Sequence, residues 1–576
     1  MGSSYSLAVL LLWLSVAQSL NSVWRWECEK GACQKKQITN DTIETALSLS
    51  TCRLFCSQSA ALWPKPTGDV SIGNYLTQLN INSINIEGAK SDTPIFDLSR
   101  AAERIFKEEI QTLIPSNINV VGGKSLIINL DVKNPNISKI SLDVDESYTL
   151  KVSETSDGRI QALVTAPTFF GARHALVTLG QLVIFDDLRD QLQIVRDFLV
   201  SDRPAYPYRG VLLDTSRNYI SVDAIKRTIK AMGASKLNTF HWHITDSHSF
   251  PYVSKSRPDL VKYGAYSPSK IYSQSDVEDI IQYARERGIR VMPEFDAPAH
   301  VGEGWQNTSL VTCFNWQPWQ DYCVEPPCGQ FDPTKAELYD AIEDIYGDMI
   351  EQFQPDIFHM GGDEVNFNCW NSTANIVEWM EKEQGWSRTE SDFIKLWNYF
   401  QAQALQRLYK KTSSPIPVWT KGDDVQITDL LENGYKLILS NYDALYLDCG
   451  FAGWVTDGNN WCSPYIGWQK VYENKPAGIA GNKKDQILGS EATLWTEQAD
   501  TSSVDGRLWP RAAALAEVLW SEPSTGWQEA EHRFLIHRER LVSLGIDADA
   551  IEPQWCLMNE ENCRIGATFN SANTNV

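Results

Sequence analysis

Short apolar runs, each ending in polar or charged residues, recur along the chain from residue 209 onward. They begin near residues 210, 237, 289, 357, 417, 436 and 487. Segments with the apolar spacing of a helix follow most of them. This repetition over roughly 350 residues favours a (β/α)8 barrel, or TIM barrel, with long loops, although an eighth strand cannot be placed. The predicted fold class is therefore α/β.

Two helices of this region carry start signals. Ser221 can cap the helix that follows the first run, because its hydroxyl can accept a hydrogen bond from a free backbone N–H. The helix after the third strand is predicted to begin at Asp332-Pro333, with Asp as cap and Pro at the first helical position. A further helix is predicted to begin near Ser275.

The segment before the barrel has a different pattern. Residues 125–131 and 148–153 alternate like strands, whereas residues 97–113 and 168–182 have helical spacing. Because this segment has no paired carboxylates or clustered histidines, it is predicted to be a non-catalytic α+β domain. The expected division is a signal peptide at 1–19, a cysteine-containing segment and α+β domain at 20–203, and the catalytic barrel at 204–576.

The N-terminus predicts a secreted protein. Residues 7–16 are rich in leucine, and residues 17–19 are small or polar, as at a signal-peptidase site. The run is too short to span a bilayer, and no other stretch is long and apolar enough to do so. Four N-x-S/T sequences agree with passage through the secretory route. They lie at Asn40, Asn136, Asn307 and Asn371.

The 12 cysteines predict disulfides in an oxidising compartment. Cys28, Cys33, Cys52 and Cys56 form one N-terminal group, within which the pairing stays open. Their grouping along the chain favours four further bonds: Cys323–Cys328, Cys449–Cys462, Cys556–Cys563 and Cys313–Cys369. Zinc binding is disfavoured because paired CxxC spacing is missing.

The net charge and the aromatic content narrow the classes of molecule that the protein is expected to bind. A formal charge of −22 argues against nucleic acid and anionic membranes. The 21 tryptophans suggest carbohydrate, because flat rings cover the C–H faces of sugars, although any single Trp is more often a core residue.

The carboxyl ends of the predicted strands are rich in charged and aromatic residues. In a barrel these ends form the face that carries the active site. Five of the eight histidines lie there. A doubly wound sheet would also gather these ends, so the enrichment supports a site more firmly than a barrel. The residues concerned are Asp214, Arg217, His241, His243, Asp246, His248, Glu294, Asp296, His300, His359, Asp363, Glu364, Trp419, Tyr442, Tyr446, Asp448, Glu491, Trp495 and Glu497.

The segment 356–365 is the strongest single signal. An apolar run at 357–360 reads as a strand, and Gly361-Gly362 then break it before Asp363 and Glu364. In a continuous strand these two acids would face opposite ways, whereas a glycine turn can bring both into one cleft. Two acids in one site acquire different pKa values and different roles, as glycosidic bond cleavage requires. The alternative interpretation of Asp363 and Glu364 is a solvated acidic turn that follows a strand.

Several motifs together resemble the family 20 β-N-acetylhexosaminidases. They are RGVLLDTSR at 209–217, FHWHITD at 240–246, MPEFDAPAHVG at 292–302, HMGGDE at 359–364, ALWPKP at 61–66 and FGARHALVTLGQL at 170–182. The loop from WQPW at 316–319 to CVEPPC at 323–328 looks most like the insect chitinolytic members. This resemblance implies removal of N-acetylglucosamine from the non-reducing end of chitooligosaccharides.

The resemblance also implies a mechanism without an enzyme nucleophile. In this family the substrate's own 2-acetamido oxygen attacks the anomeric carbon. Glu364 would then protonate the leaving oxygen and later activate water, while Asp363 would accept a hydrogen bond from the acetamido N–H. Tyr446 would hold the acetamido oxygen from the other side.

Other roles follow from the same resemblance. Arg217, Asp448 and Glu497 would bind hydroxyls of the terminal sugar, and Asp246 with His300 would steady Glu364. The aromatic walls would be Trp397, Trp419 and Trp495. The second sugar would meet Trp319, Val324, Glu325 and Trp461. No cofactor or metal is implied, and homodimers are common in the family.

Three alternatives stay open at this point. His241, His243 and Asp246 could bind a metal, because His-x-His on a strand places both rings on one face. The chain could be an inactive glycan-binding relative, although such a protein has no use for a proton donor. It could also trim N-glycans in the secretory pathway or in a lysosome-like compartment.

Overall fold

A computed structural model describes residues 21–411, 425–560 and 562–563. The predicted signal peptide, the predicted strand near residue 417 and Trp419 lie outside these residues. The N-terminal segment begins with a hairpin of β1 (Trp24–Glu29) and β2 (Ala32–Gln37), followed by helix α1 (Leu49–Cys56). Disulfides Cys28–Cys56 and Cys33–Cys52 join α1 to the hairpin, so the pairing that the sequence left open is nested.

The second unit is an eight-stranded mixed sheet covered by two helices. Its strand order is β3-β10-β6-β7-β5-β4-β9-β8. The strands are β3 (Ser71–Ile72), β4 (Leu76–Glu87), β5 (Lys124–Val132), β6 (Tyr148–Glu154), β7 (Ile160–Ala166), β8 (Val183–Asp186), β9 (Gln191–Val195) and β10 (Phe198–Asp202). Helices α2 (Phe96–Gln111) and α3 (Phe169–Gln181) pack on it. The strands and helices predicted for this part agree with these bounds within two residues.

The third unit contains a curled parallel sheet of order β13-β12-β11-β17-β16. These strands are β11 (Tyr208–Asp214), β12 (Thr239–Thr245), β13 (Arg290–Phe295), β16 (Leu437–Leu439) and β17 (Ile487–Leu494). A two-stranded ribbon of β14 (Val311–Thr312) and β15 (Gln330–Phe331) lies in a loop. Every residue of β11, β12 and β13 is buried, including polar residues such as His241, His243 and Glu294.

Helices surround this sheet. They are α4 (Val222–Ala234), α5 (Asp259–Gly264), α6 (Gln274–Arg285), α7 (Ala336–Phe353), α8 (Phe367–Asn371), α9 (Ala374–Lys382), α10 (Glu390–Tyr409), α11 (Val425–Glu432), α12 (Tyr442–Leu445), α13 (Trp468–Glu473), α14 (Pro476–Ala480), α15 (Val504–Leu508), α16 (Arg511–Ser521), α17 (Trp527–Ser543) and α18 (Gln554–Met558). As predicted, Ser221 caps α4, its hydroxyl accepting from the Ala224 N–H at 3.3 Å.

Two predictions for this region were wrong. Helix α7 begins at Ala336 and not at Asp332-Pro333, because the Asp332 carboxylate accepts from the backbone and hydroxyl of Thr334 and closes a separate turn first. The run at 357–360 is not a regular strand. It meets the sheet through one parallel bridge between Glu294 and His359, since the glycine turn follows immediately.

Buried ion pairs join the α+β unit to the barrel sheet. Arg209 at the start of β11 donates to Glu146 at 2.6 and 3.0 Å, and Lys236 after α4 lies 3.1 Å from Asp202 in β10. These residues are all buried, and Trp520 of α16 packs in the core of the α+β unit. The α+β unit therefore holds the end of the barrel sheet opposite to the carboxyl ends of the strands.

Candidate active site

The turn after residue 360 fixes the two adjacent acids. Gly361 and Gly362 have φ of 63° and 127°, and Glu364 has φ of 52°. A Cβ on Gly361 would lie 1.8 Å from Asp296 Oδ1, and the same oxygen accepts from the Gly362 N–H at 2.9 Å. Only glycine allows both this backbone conformation and this approach. The chain therefore turns tightly against β13 before the acids begin.

Both acids open onto one cleft of about 430 Å³ at the carboxyl ends of the barrel strands. Asp363 is half-buried, whereas the Glu364 side chain is 45% exposed. The glycine turn thus does what the sequence indicated. The predicted site residues that line the same cleft are Arg217, His300, Val324, Glu325, Asp363, Glu364, Tyr446, Asp448, Trp461, Trp495 and Glu497.

The remaining predicted residues lie elsewhere. Trp397 packs beside Phe367 in a small hydrophobic cluster between α8, α9 and α10, away from the cleft lining. Trp319 begins a short 3-10 turn, Trp319–Asp321, next to the Cys323–Cys328 loop. Asp246 is buried behind the cleft. The core interpretation of Trp397, which its helical segment left open, fits its packing better than a sugar wall does.

Glu364 is connected to a buried histidine and aspartate. His300 Nε2 lies 3.1 Å from Glu364 Oε2, and His300 Nδ1 lies 3.4 Å from Asp246 Oδ2. Burial lowers the pKa of His300, but the charge of Asp246 and the hydrogen bonds to Asp246 and Glu364 raise it well above the usual imidazole value. A cationic imidazole beside Glu364 can donate a hydrogen bond to its carboxyl oxygen and so fix the orientation of the side chain.

Arg217 is already paired in this structure. Its Nη1 lies 2.9 Å from Asp246 Oδ2, its Nη2 lies 2.6 Å from Glu325 Oε1, and its guanidinium stacks 5.0 Å from the Trp495 ring centroid. The residue expected to bind the first sugar and the one expected to meet the second therefore contact each other directly. A sugar hydroxyl that bound Arg217 would have to share or replace Glu325.

Two half-buried acids, Asp448 and Glu497, line the same cleft. Burial raises the pKa of Asp448 to about 7, and it raises the pKa of Glu497 well above its usual range, with Arg217 opposing the effect on Glu497. In their protonated forms both could donate as well as accept hydrogen bonds, which suits the binding of sugar hydroxyls. Tyr446 stands beside them, with its ring edge-on to Trp461 and Trp495.

Below the cleft, histidines and carboxylates alternate inside the sheet. His243 lies 2.6 Å from Glu294 and 2.9 Å from Asp246, and His359 lies 2.7 Å from Glu294. Burial lowers the pKa of His243, whereas Glu294 and Asp246 raise it well above the ordinary value. His241, Glu294 and His359 also lie close enough together to hold one ion. These imidazoles and carboxylates contact one another at hydrogen-bond distance, so mutual pairing explains why they cluster here.

Several cleft residues were missed by the sequence analysis. Phe451, Trp454 and Val455 line the cleft from the loop closed by Cys449–Cys462. Asp296, which the sequence placed at a strand end without a specific role, lines the cleft directly after β13. The signal existed in part: this loop follows Asp448 directly, it contains exposed aromatic residues, and Asp296 lies inside the 292–302 motif. Nothing in the spacing, however, indicated which way the loop folds.

The structure contains six disulfides, among them Cys313–Cys369, Cys323–Cys328, Cys449–Cys462 and Cys556–Cys563. Two of these close loops that line the cleft. Of the N-x-S/T asparagines, three are exposed, while Asn371 is half-buried and its Oδ1 accepts from Arg388. The exposed asparagines are Asn40, Asn136 and Asn307.

A cleft with two adjacent carboxyls, two further half-buried acids and aromatic walls has the features of a glycoside hydrolase site. Comparison with known proteins agrees. Residues 206–523 match the family model described as glycosyl hydrolase family 20, catalytic domain, and residues 62–182 match a model described as beta-acetyl hexosaminidase like.

Two curated relatives are similar over almost the whole chain. Both are chitooligosaccharidolytic beta-N-acetylglucosaminidases, from Ostrinia furnacalis, at 53% identity over 96% of this chain and 98% of the relative, and from Bombyx mori, at 51% over 96% and 97%. The crystal structure of a Flavobacterium johnsoniae chitobiase has a TM-score of 0.66 and 27% identity, covering 84% of this chain and 73% of that one.

The chain belongs to glycosyl hydrolase family 20. It is a glycoside hydrolase of the β-hexosaminidase type, as the motifs predicted. The predicted fold class, a TIM-barrel catalytic domain after a smaller α+β domain, is likewise confirmed by the match to the chitobiase structure. Among the described residues, no helix combines the length and apolar character that crossing a membrane requires.

Replacement of Gly361 by alanine tests the glycine turn. The new Cβ would collide with Asp296, so the turn must move and carry Asp363 and Glu364 with it. We expect kcat/KM to fall about 100-fold. Gly385→Ala is the matched control: Gly385 also has positive φ, at 65°, but nothing lies within 4 Å of its Cβ position. Equal activity of the two variants would show that the close approach to Asp296 is unimportant.

Proposed function

We propose that this chain is a secreted, exo-acting β-N-acetylglucosaminidase that removes terminal N-acetylglucosamine from the non-reducing end of chitooligosaccharides with retention of configuration. The observation that carries the proposal is the pair Asp363 and Glu364, brought into one cleft with Tyr446 by the glycine turn. Two relatives above 50% identity bear the name of chitooligosaccharide-cleaving enzymes, which supports the same substrate here.

The adjacency of the two acids favours attack by the substrate. An ordinary retaining glycosidase places its two carboxyls about 5–5.5 Å apart on opposite sides of the anomeric carbon, and one of them attacks it. Asp363 and Glu364 instead follow one another on a single turn. In this family the 2-acetamido oxygen attacks, so that the enzyme needs an acid and a charge-stabilising anion and no nucleophile.

The proposed reaction has two steps. In the first, the acetamido oxygen bonds to the anomeric carbon while the glycosidic bond breaks and Glu364 donates its proton to the departing oxygen. Asp363 accepts a hydrogen bond from the acetamido N–H and balances the positive charge that forms on the ring. In the second, Glu364 takes a proton from water as the water oxygen attacks the anomeric carbon and the acetamido group is restored.

His300 and Asp246 hold the Glu364 side chain in position. The contact of 3.1 Å from His300 to Glu364 gives the carboxylate a cationic hydrogen-bond donor, and Asp246 holds the imidazole from its other side. Arg217, Asp448 and Glu497 are the proposed hydroxyl-binding groups, and Trp495 is the proposed wall of the first sugar site. Tyr446 would donate a hydrogen bond to the acetamido oxygen.

The rim of the cleft supports a chain of sugars as substrate. Trp461 is 71% exposed although it lines the cleft, and Val324 is 52% exposed on the opposite loop. Exposed aromatic and apolar surface at a cleft mouth suits the flat faces of a second N-acetylglucosamine. Secretion is supported by six disulfides and by the exposed N-x-S/T sites.

Glu364→Gln tests the proton donor. The amide has the same shape as the acid but no proton to give, so kcat on chitobiose should fall about 100- to 10,000-fold while substrate still binds. Steady-state kinetics and calorimetric titration measure the two quantities. Glu383→Gln, at an exposed carboxyl far from the cleft, should leave both unchanged. Near-normal turnover of the Glu364 variant would refute the assignment.

Asp363→Ala tests the partner of the acetamido group. Without its carboxylate the acetamido N–H loses its acceptor and the developing cation loses its counter-charge, so kcat should fall about 100- to 1,000-fold. A thiazoline analogue of the intermediate should also bind much more weakly than to wild type. Asp97→Ala, at an exposed position in α2, serves as the control. Unchanged rates on a 2-acetamido substrate would remove Asp363 from the mechanism.

The substrate class is tested by comparing chitobiose with an N-glycan that ends in N-acetylglucosamine. We expect kcat/KM to be at least about tenfold higher for chitobiose, because the exposed rim at Trp461 and Val324 can cover a second sugar of the same type. Trp461→Ala should reduce this preference through a higher KM. A preference for the N-glycan would favour a glycan-trimming role, and turnover of neither would favour a binding protein.

A further inference from the structure

Asp296 is a buried carboxyl at the floor of the cleft for which the proposed mechanism has no role. It is 3% exposed and lines the same cleft as Asp363. Its Oδ1 accepts the Gly362 N–H at 2.9 Å and occupies the space that Gly361 leaves open. One carboxyl oxygen of Asp296 therefore anchors the turn that presents both acids.

Asp296 differs from the neighbouring buried carboxyls in its lack of a cation. Asp246 has Arg217 and His243 at 2.9 Å, and Glu294 has His243 and His359 at 2.6 and 2.7 Å. Within the described part of the chain, no nitrogen of a lysine, arginine or histidine lies within 4.0 Å of the Asp296 oxygens. A carboxyl that is buried without a paired cation favours its neutral form.

The charged groups around Asp296 do not balance a negative charge on its carboxyl group. Three acids, Asp363, Glu294 and Asp246, and two histidines, His243 and His300, lie around it. Tyr346 of α7 also faces it, and the Tyr346 hydroxyl has no hydrogen-bond partner among the described residues. Burial and then the charge of Asp363 raise the pKa of Asp296 well above its usual range, with His300 opposing.

We propose that Asp296 is a positioning residue that works in its protonated form: it anchors the glycine turn as a neutral acceptor and leaves Asp363 as the anion that faces the acetamido group. This inference rests on the proposed role of Asp363. Ionisation of Asp296 would place a second anion beside Asp363 without a cation to hold the pair, and repulsion would displace Asp363 and the turn. Loss of the Asp296 proton therefore limits activity at alkaline pH.

The test is the pH dependence of kcat/KM for 2,4-dinitrophenyl N-acetyl-β-glucosaminide, over about pH 5 to 10. This leaving group departs without a proton from Glu364, so ionisation of Glu364 does not dominate the alkaline side of the profile. Wild type, Asp296→Asn and Asp296→Ala are compared. Asp348→Asn is the matched control, since Asp348 is also a buried aspartate, but it is bonded to Ser254 and Ser256 away from the cleft.

The asparagine amide resembles a protonated carboxyl and cannot ionise. We therefore expect Asp296→Asn to keep kcat/KM within about threefold of wild type at acidic pH and to retain activity at pH values where wild type declines. Asp296→Ala should lose about 100-fold at every pH, because the turn loses its acceptor. Asp348→Asn should follow the wild-type profile.

Two results would overturn the inference. If kcat/KM of Asp296→Asn at acidic pH fell about 100-fold below that of wild type, Asp296 would act as an anion. If its alkaline decline coincided with that of wild type, ionisation of Asp296 would not limit the enzyme. Both readings need only the asparagine variant, so they hold even if Asp296→Ala fails to fold. A wild-type enzyme unable to cleave the 2-acetamido substrate would instead refute the proposed function itself.

Discussion

The close approach of the Gly361-Gly362 turn to the Asp296 carboxyl is the contact on which the site depends. The turn can reach β13 only because residue 361 has no Cβ and because Asp296 accepts the Gly362 N–H. This contact ends the segment that follows the sheet edge and reverses the chain at once. Two neighbours in sequence, which a strand would point apart, then open onto one cleft. Local backbone geometry thereby determines which chemistry the cleft can perform.

The many buried charges near the cleft lose their hydration and need opposite charges nearby. In this structure positive and negative side chains alternate. Arg217, His243 and His300 lie among Asp246, Glu294 and Glu325, so that most buried charges contact an opposite one. Such pairs orient one another more than they stabilise the fold, because each charge also loses its hydration. The result is a set of mutually oriented side chains behind Glu364, whose carboxyl contacts His300 and is exposed to the cleft.

Much of this could be predicted from the sequence, for physical reasons. Buried parallel strands leave continuous apolar runs, and the strand ends gather at one face, so Asp363, Glu364, Tyr446 and Arg217 could be assigned to a common site before any coordinates. The family motifs then supplied roles for them. Long-range packing was beyond such reasoning: Trp397 faces a local hydrophobic cluster, and Arg217 pairs with Glu325 across 108 positions of sequence. Competing local hydrogen bonds also moved the start of α7, because the Asp332 side chain closes its own turn.

The α+β unit and the disulfide-closed loops stabilise the site without contributing the proposed catalytic side chains. The buried pairs Arg209–Glu146 and Lys236–Asp202 hold the first barrel strands at the end remote from the cleft, while two disulfides constrain loops at its mouth. The central claim concerns the acids between them. It is tested most directly by a crystal structure with a thiazoline analogue of the intermediate bound. The account predicts the Asp363 carboxylate within about 3 Å of the analogue's ring nitrogen and Glu364 on the side of the departing sugar. An analogue bound away from Asp363, or an Asp363 carboxylate directed out of the cleft, would contradict it.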